Sequence, residues 1–252
     1  MIESFLGQEV FAFLILFLRV AALFALAPAI GERSIPIPAR LVAALSIALV
    51  MLPVMADRVP AMPQSMLGLA GLIVGEITIG ILLAVVGQLI QAALHTAGTI
   101  VGFTVGLAFA QQFDPFQGTQ SAITSSFFTI MGVALIFITD LHLVMLEALF
   151  DSYLLFPAGD PLPVGDMTQI VVETVGAGFS LGLRLASPFI VFGLVFYAGL
   201  GVTARLIPTL QVFFVALPVN IFAGFLILLI ALPGIMMAFL TAFEDSFARF
   251  IR

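Results

Sequence analysis

The chain has 252 residues, 62% of them hydrophobic and only 9% charged, with a net charge of −6 and a mean hydropathy of +1.28. A soluble domain of this size needs far more charge to cover its surface, so the composition places the chain at a membrane. It has no Cys and no Lys, which excludes disulfides, thiolate metal sites, a Walker A lysine and a Schiff-base lysine, and its acidic balance leaves no footprint for nucleic acid.

Taken in chain order, the first apolar run covers roughly residues 10–30. Glu3 and Glu9 precede it and Arg19 lies inside it, where a cleavable signal peptide has a basic leader, so this segment is expected to be retained. Further apolar runs follow at about 38–56, 66–94, 98–110, 122–150, 169–200 and 209–243, and each longer one can supply the ~20 residues that span a bilayer. Pro36 and Pro38 introduce the second run as helix-starting residues, and Pro60 and Pro63 follow its end. Pro188, Pro218 and Pro233 fall inside apolar runs and predict kinks or breaks. The expected fold class is therefore all-α, built of membrane-associated helical hairpins with broken or kinked helices.

The most informative stretch runs from Gly98 to Gly118. Gly98, Gly102 and Gly106 recur every fourth residue, and Ala110 continues the series. That spacing gathers the small residues on one helix face, where a second backbone can come close. Packing of two helices within one subunit is the commoner use of such a ladder; Gly71 with Gly75 and Gly178 with Gly182 repeat the pattern. The run then gives way to Gln111, Gln112, Phe113, Asp114, Pro115 and Phe116. Pro115 lacks an N–H and disfavours helix at Asp114, and non-helical backbone at membrane depth survives only inside protein or beside a water-filled cavity. A close-packed helix thus delivers a polar and aromatic loop to a protected interior, as a pore or gate requires.

Several ionisable residues interrupt the apolar runs: Arg19, Glu76, Asp140, His142, Glu147, Glu173 and Arg184. A charge at the bilayer centre costs about 2.5–3.5 kcal/mol on insertion scales, so each needs a partner or a wet cavity. One reading makes Arg19, Glu76 and Arg184 buried charges paired between helices. The other makes Glu76, Asp140, Glu147 and Glu173 an ion path through a stand-alone transporter. No catalytic constellation is visible: Asp140 and His142 are two apart on a helix and face different directions, and His95 with His142 are too few for a metal site. Neither an enzyme activity nor a cofactor is expected. Phe supplies nearly all the aromatic content, with no Trp and two Tyr, so the aromatic belts that mark headgroup levels are missing.

Leu18-Arg19-Val20-Ala21-Ala22-Leu23-Phe24-Ala25-Leu26-Ala27-Pro28, Ile35-Pro36-Ile37-Pro38-Ala39-Arg40, Gly75-Glu76-Ile77-Thr78-Ile79-Gly80, the Gly102–Gly118 stretch with Phe113-Asp114-Pro115, Asp140 with His142, Ala204-Arg205-Leu206-Ile207-Pro208 and Ala216-Leu217-Pro218 follow one another along the chain. In that order these motifs resemble the FliR family of flagellar export-gate proteins. The sequence departs from the family at Leu141, Leu143 and Asn220, where Gly, a second His and a basic residue are common. The resemblance implies one FliR-type domain over 1–252, with a FliP-like part at about 1–165 and a FliQ-like part at about 166–252. It implies assembly of one such subunit with FliP and FliQ, contact with FlhB, and passage of unfolded flagellar substrates. The location implied is the bacterial inner membrane at the flagellar basal body, with the gate raised largely above the bilayer plane. Residues 106–122 become the pore plug, in which Phe109, Phe113 and Phe116 close the conduit by dewetting while Gln111, Gln112, Gln117 and Thr119 satisfy backbone groups.

Overall fold

The structure is a computed structural model that describes residues 2–32, 34–107, 123–207 and 212–251, with side chains described from Gly7 in the first helix and from Ala216 in the last. Among the described residues it holds seven α-helices and no strand. They are α1 (Ile2–Leu26), α2 (Ile37–Met55), α3 (Met66–Val105), α4 (Ile123–Ile138), α5 (Leu141–Leu155), α6 (Val164–Leu206) and α7 (Val212–Ala248), with one short 3₁₀ turn, Ala56–Arg58, after α2. Five helices are long and apolar enough to cross a membrane, and α4 with α5 forms a bent pair that meets the same test together.

The apolar run at 66–94 and the start of the run at 98–110 belong to one helix that ends at Val105; Thr96 and Thr99 return their hydroxyls to the carbonyls of Ala92 and His95 at 2.9 and 2.8 Å and do not interrupt it. The helices also run without a break through Pro188, Pro218 and Pro233, since an internal proline removes one ladder bond and bends a helix without having to end it. The break falls at Asp140, which has no proline near it and adopts a left-handed φ of 59°. Non-glycine residues in that region are strained, Asp and Asn least of all.

The helices α3, α6 and α7 contain 40, 43 and 37 residues. At about 1.5 Å per residue they extend roughly 55–65 Å, about twice the ~30 Å hydrocarbon core. A straight helix of that length exceeds what tilt in the usual range accommodates within the hydrocarbon core.

The chain forms two compact units that interleave in sequence. The first comprises Met1–Leu89, Ile136–Val175 and Phe243–Arg252; the second comprises Ile90–Leu135 and Gly176–Ala242. In the first unit α1 and α2 are antiparallel: Gln8 Nε2 donates to Pro60 O at 3.4 Å, and Arg40 Nη1 donates to Ala25 O at 3.4 Å and Gly31 O at 3.2 Å. Arg40 thereby places a cation on the carbonyl end of α1, where the helix dipole is negative. The α2 helix buries only the stripe Ala44, Ala48, Met51 and Met55, at helical spacing, and leaves Val42, Leu49, Val50 and Val54 exposed. By contrast α1 and α3 run parallel. A Cβ at Gly80 would collide with Arg19 O and stand 2.7 Å from the Ala22 Cβ, while one at Gly87 would stand 2.9 Å from Pro28. Gln88 Nε2 donates to Leu26 O at the far end of the same contact. Phe243, Phe247 and Phe250 from the end of the chain complete this core, each almost fully buried.

In the second unit the C-terminal half of α3 is the common strut. The α4 helix is antiparallel to it: Gly98 meets Thr124 and Ser125, and Gly132 meets Leu94. The α6 helix is parallel to it, with Gly182 against Ala93 and Thr96 and Gly193 against Thr104, and Gly224 of α7 receives Val105. Glycine thus sits on both helices of the α3–α4 contact and on the α6 and α7 side of the others, as small-residue packing allows.

A Cβ at Gly98 would lie 2.7 Å from both Ser125 N and Thr124 O, which are backbone atoms that cannot swing aside, whereas one at Gly71 meets nothing within 4 Å. Gly98→Ala is accordingly expected to destabilise the chain by about 1–3 kcal/mol as overpacking, and Gly71→Ala to stay within about 0.5 kcal/mol of the parent. Thermal unfolding of the detergent-solubilised variants checks this. Equal stability of the two variants would remove close packing as the reason for Gly98.

Candidate functional site

Arg19 is the one side chain in α1 that cannot be left in an apolar core unpaired. Gly80 brings α3 onto the Arg19 backbone, and helical side chains lean toward their own N-terminus. Because α1 and α3 are parallel, the lean carries the guanidinium one turn back along α3, to Glu76. There Nε donates to Oε2 at 2.8 Å and Nη2 donates to Oε1 at 2.9 Å, a two-pronged pair with both side chains essentially inaccessible at 0% and 1%. The remaining donors turn to α5: Nη1 to Ser152 Oγ at 2.9 Å, and Nη2 to Phe156 O at 3.0 Å at the end of that helix. Ser152 passes the chain on to Leu149 O at 2.6 Å, and the guanidinium carbon stands 3.7 Å over the Tyr153 ring. Planar, forked geometry and weak hydration make arginine the cation that fits such a site. The network ties three helices of the first unit around one charge.

The second element is the stem of the central loop, within the second unit. The α3 helix ends at Val105, and Gly106 follows with φ 87°, a left-handed conformation that glycine adopts without strain; its N–H reaches back to Phe103 O at 3.2 Å. Gly106 is thus a helix terminator, in contrast to Gly98, which is a packing contact, while Gly102 is buried on the same helix. On the other side of the loop α4 opens at Ile123, and Thr124 Oγ1 donates to Gly98 O at 2.6 Å. The chain therefore leaves α3 at Gly106 and is pinned again about two turns, roughly 12 Å, further back along the same helix. The proposed plug residues Phe109, Gln111, Gln112, Phe113, Asp114, Pro115 and Phe116 lie outside the described residues.

The other ionisable residues do not form a path. Asp140, Glu147 and Glu173 are exposed and only Glu76 is buried, already committed to Arg19. Glu173 accepts from Gln169 at 2.9 Å and faces Arg249 at 3.8 Å on the surface. Arg184, expected to be buried, is exposed on the described chain: it lies on α6 between the buried Gly182 and Leu185 but faces outward. His142 packs on Phe137 with ring centroids 5.3 Å apart. No group of three His, Asp or Glu side chains converges among the described residues.

Sequence reasoning missed Ser152, Tyr153, Tyr197 and Asn220. A usable signal was present: the chain has 26 Phe but only two Tyr. A lone tyrosine in so phenylalanine-rich a chain marks a place where a polar handle or an electron-rich ring is needed. Both do: Tyr153 lies under Arg19, and Tyr197 Oη donates to Thr104 O at 3.2 Å.

Removing one partner of a buried pair strands the other charge, at about 3–5 kcal/mol, while apolar replacement of both partners is often near neutral. Arg19→Leu and Glu76→Leu should each lower stability by that amount, and the double variant should recover much of it. Subunit yield and thermal unfolding of the three variants test this; a double variant no better than the worse single one would mean that the contacts to Ser152 and Phe156 dominate.

Residues 10–246 match the model of the family described as bacterial export proteins, family 1. The chain is 35% identical over 237 residues to flagellar biosynthetic protein FliR of Caulobacter vibrioides, covering 94% of both chains. It is 31% identical to the FliR proteins of Pectobacterium carotovorum and of Escherichia coli K12, in each case over 86% of this chain and 82% of the relative. A match of this extent identifies the chain as a member of family 1 of the bacterial export proteins, the family of flagellar biosynthetic protein FliR.

Proposed function

We propose that the chain is the core export-gate subunit of a flagellar type III secretion system, joining FliP and FliQ to form the conduit for unfolded flagellar proteins. In this reading one copy enters each gate, about 1–165 takes the place of a FliP-like part and about 166–252 that of a FliQ-like part, and FlhB docks on the assembly. The gate sits at the bacterial inner membrane in the flagellar basal body. Residues 106–122 seal it at rest.

One observation carries the plug: the loop springs from a stem that is held on both sides. Its departure point is fixed by the Gly106 terminator and its return point by the Thr124 contact with Gly98. A segment of this length, at about 3.3 Å per residue out and back, reaches at most on the order of 25 Å from its anchors, enough to cross a protein-sized conduit. Phenylalanines on such a tether can close the conduit by excluding water, and a substrate chain can displace them where a few contacts hold the seal. The long helices favour a raised assembly over a simple bundle in lipid, and their exposed apolar faces, such as Val191, Leu194 and Val195 on α6 and Phe222, Leu229 and Ile230 on α7, call for protein or lipid cover. The export-gate reading is favoured over a transporter with a buried-carboxylate path, because Asp140, Glu147 and Glu173 are exposed on this chain.

Shortening 111–118, or replacing Phe113 and Phe116 by Ser, is expected to leave co-purification with FliP and FliQ intact. The same cells should become permeable to small solutes while export falls only modestly. Native gels, dye uptake or conductance, and an export assay in parallel check this. An assembled variant that stays tight to small solutes would sink the plug, and a stable, transport-competent monomer would overturn the export-gate assignment.

A further inference from the structure

The last turn of α3 is gripped by two helices in a matching way. On α6, Gly193 and Tyr197 lie four residues apart and therefore on one face; on α7, Asn220 and Gly224 do the same. Each helix thus presents one glycine notch and one hydrogen-bonding side chain. A Cβ at Gly193 would run into Thr104 Cγ2, and one at Gly224 would run into the Val105 methyls and stand 2.9 Å from its Cβ. The two polar side chains converge on a single atom: Tyr197 Oη donates to Thr104 O at 3.2 Å, and Asn220 Nδ2 donates to it at 3.1 Å. Asn220 Nδ2 also stands 3.2 Å from Tyr197 Oη, which closes a ring of three polar groups.

This carbonyl is not an arbitrary acceptor. It belongs to the last four of an α-helix, which have no intrahelical partner. Its two lone pairs are taken by donors from two different helices, two residues before the chain turns out at Gly106. Asn220 is 1% exposed and its Oδ1 has no hydrogen-bond partner among the described residues. Both amide donors of Asn220 thus serve the clamp, while its own acceptor is left unsatisfied. A buried amide held in that way is not there for the stability of its own helix, because a leucine would pack there without an orphaned oxygen.

We propose that Tyr197 and Asn220, seated by the Gly193 and Gly224 notches, form a clamp on the last turn of α3 that holds the base of the 106–122 loop and sets how readily its seal yields. The grip itself stands on the described geometry; its effect on sealing rests on the plug reading above. The clamp links the loop stem to α6 and α7. A shift of either helix then breaks one of two hydrogen bonds on one carbonyl and loosens the stem without unpacking α3 elsewhere.

The test uses the full chain co-purified with its partners and carrying Tyr197→Phe, Asn220→Ala, or both. Tyr197→Phe keeps the ring and removes only the hydroxyl, so it decides the matter even if Asn220→Ala fails to assemble. Hydrogen exchange is followed at the end of α3, Phe103–Leu107, and at Ala93–Thr96 as a reference within the same helix. Loss of one neutral hydrogen bond corresponds to roughly fivefold in an opening equilibrium, so exchange at Phe103–Leu107 should rise about fivefold in Tyr197→Phe and further in the double variant. Ala93–Thr96 should not change. Unchanged exchange at the α3 end, or an equal rise along the whole helix, overturns the clamp irrespective of what the loop does. Resting dye uptake is then compared with that of the variant shortened at 111–118. If the shortened loop leaks and the clamp variants exchange fast yet stay tight, the clamp has no part in sealing. If the shortened loop itself stays tight, the plug reading fails, and the exchange data still decide the clamp.

Discussion

A guanidinium that is inaccessible to water dictates the arrangement of three helices. Arg19 carries five N–H donors and cannot reach water, so the fold must bring a carboxylate and further acceptors to it. The solution needs α3 close enough for Glu76 to meet the guanidinium squarely, which Gly80 permits by removing its own side chain one turn away. It needs the end of α5 as well, for Ser152 and the Phe156 carbonyl. A hydrophobic contact tolerates rotation and sliding, whereas this network does not. It therefore fixes register among helices whose surfaces are otherwise interchangeable hydrocarbon.

Register matters because the rest of the chain offers few other means of setting it. The helices are apolar nearly all round, and α2 leaves most of its apolar surface uncovered. In such a chain the hydrophobic effect does not discriminate one face from another, and specificity falls to shape and to the rare polar groups. The glycine notches supply shape: Gly98 for the start of α4, Gly182 and Gly193 for the contact of α3 with α6, and Gly224 for that with α7. The polar groups supply direction: Thr124 on the Gly98 carbonyl, Arg40 on the end of α1, and Tyr197 with Asn220 on the end of α3. Each acts at a helix terminus or a close crossing, where backbone carbonyls lack partners or become accessible.

Which of these features could be read from the sequence follows from their range. Helix existence, the apolar setting and the need of Arg19 for a buried carboxylate depend on local composition, and all were legible. The choice of Glu76 from among several carboxylates was not, because it depends on the parallel docking of α1 and α3. Arg184 illustrates the same limit from the other side: its apolar neighbours suggested burial, yet its azimuth on α6 turns it outward. Of the kinks or breaks that internal prolines predict, no break occurs, because one missing ladder bond does not end a helix of about forty residues, while the break at Asp140 comes from a backbone conformation that no pattern of hydrophobicity reveals. Gly106 was read as one rung of a ladder, and its real part, ending α3, became visible only in its φ. Tyr197 and Asn220 meet Thr104 across more than ninety residues of sequence, so no local signal beyond the scarcity of tyrosine could mark them.

In the proposed reading, a gate that passes an extended chain must be firm where it is rooted, and the described contacts of the second unit concentrate at that root. At the root, the carbonyl end of α3 and the amino end of α4 are held by backbone-to-backbone contact at Gly98 and by donors that approach from two other helices. The Gly98 contact is buried and stereochemically demanding, and the two donors on Thr104 O add directional bonds at the helix end. The segment between them begins with a glycine in a conformation open to few other residues, which ends the helical ladder abruptly instead of letting it fray. An abrupt end leaves α3, the strut that organises the second unit, helical to Val105, with the Thr104 carbonyl held by Tyr197 and Asn220.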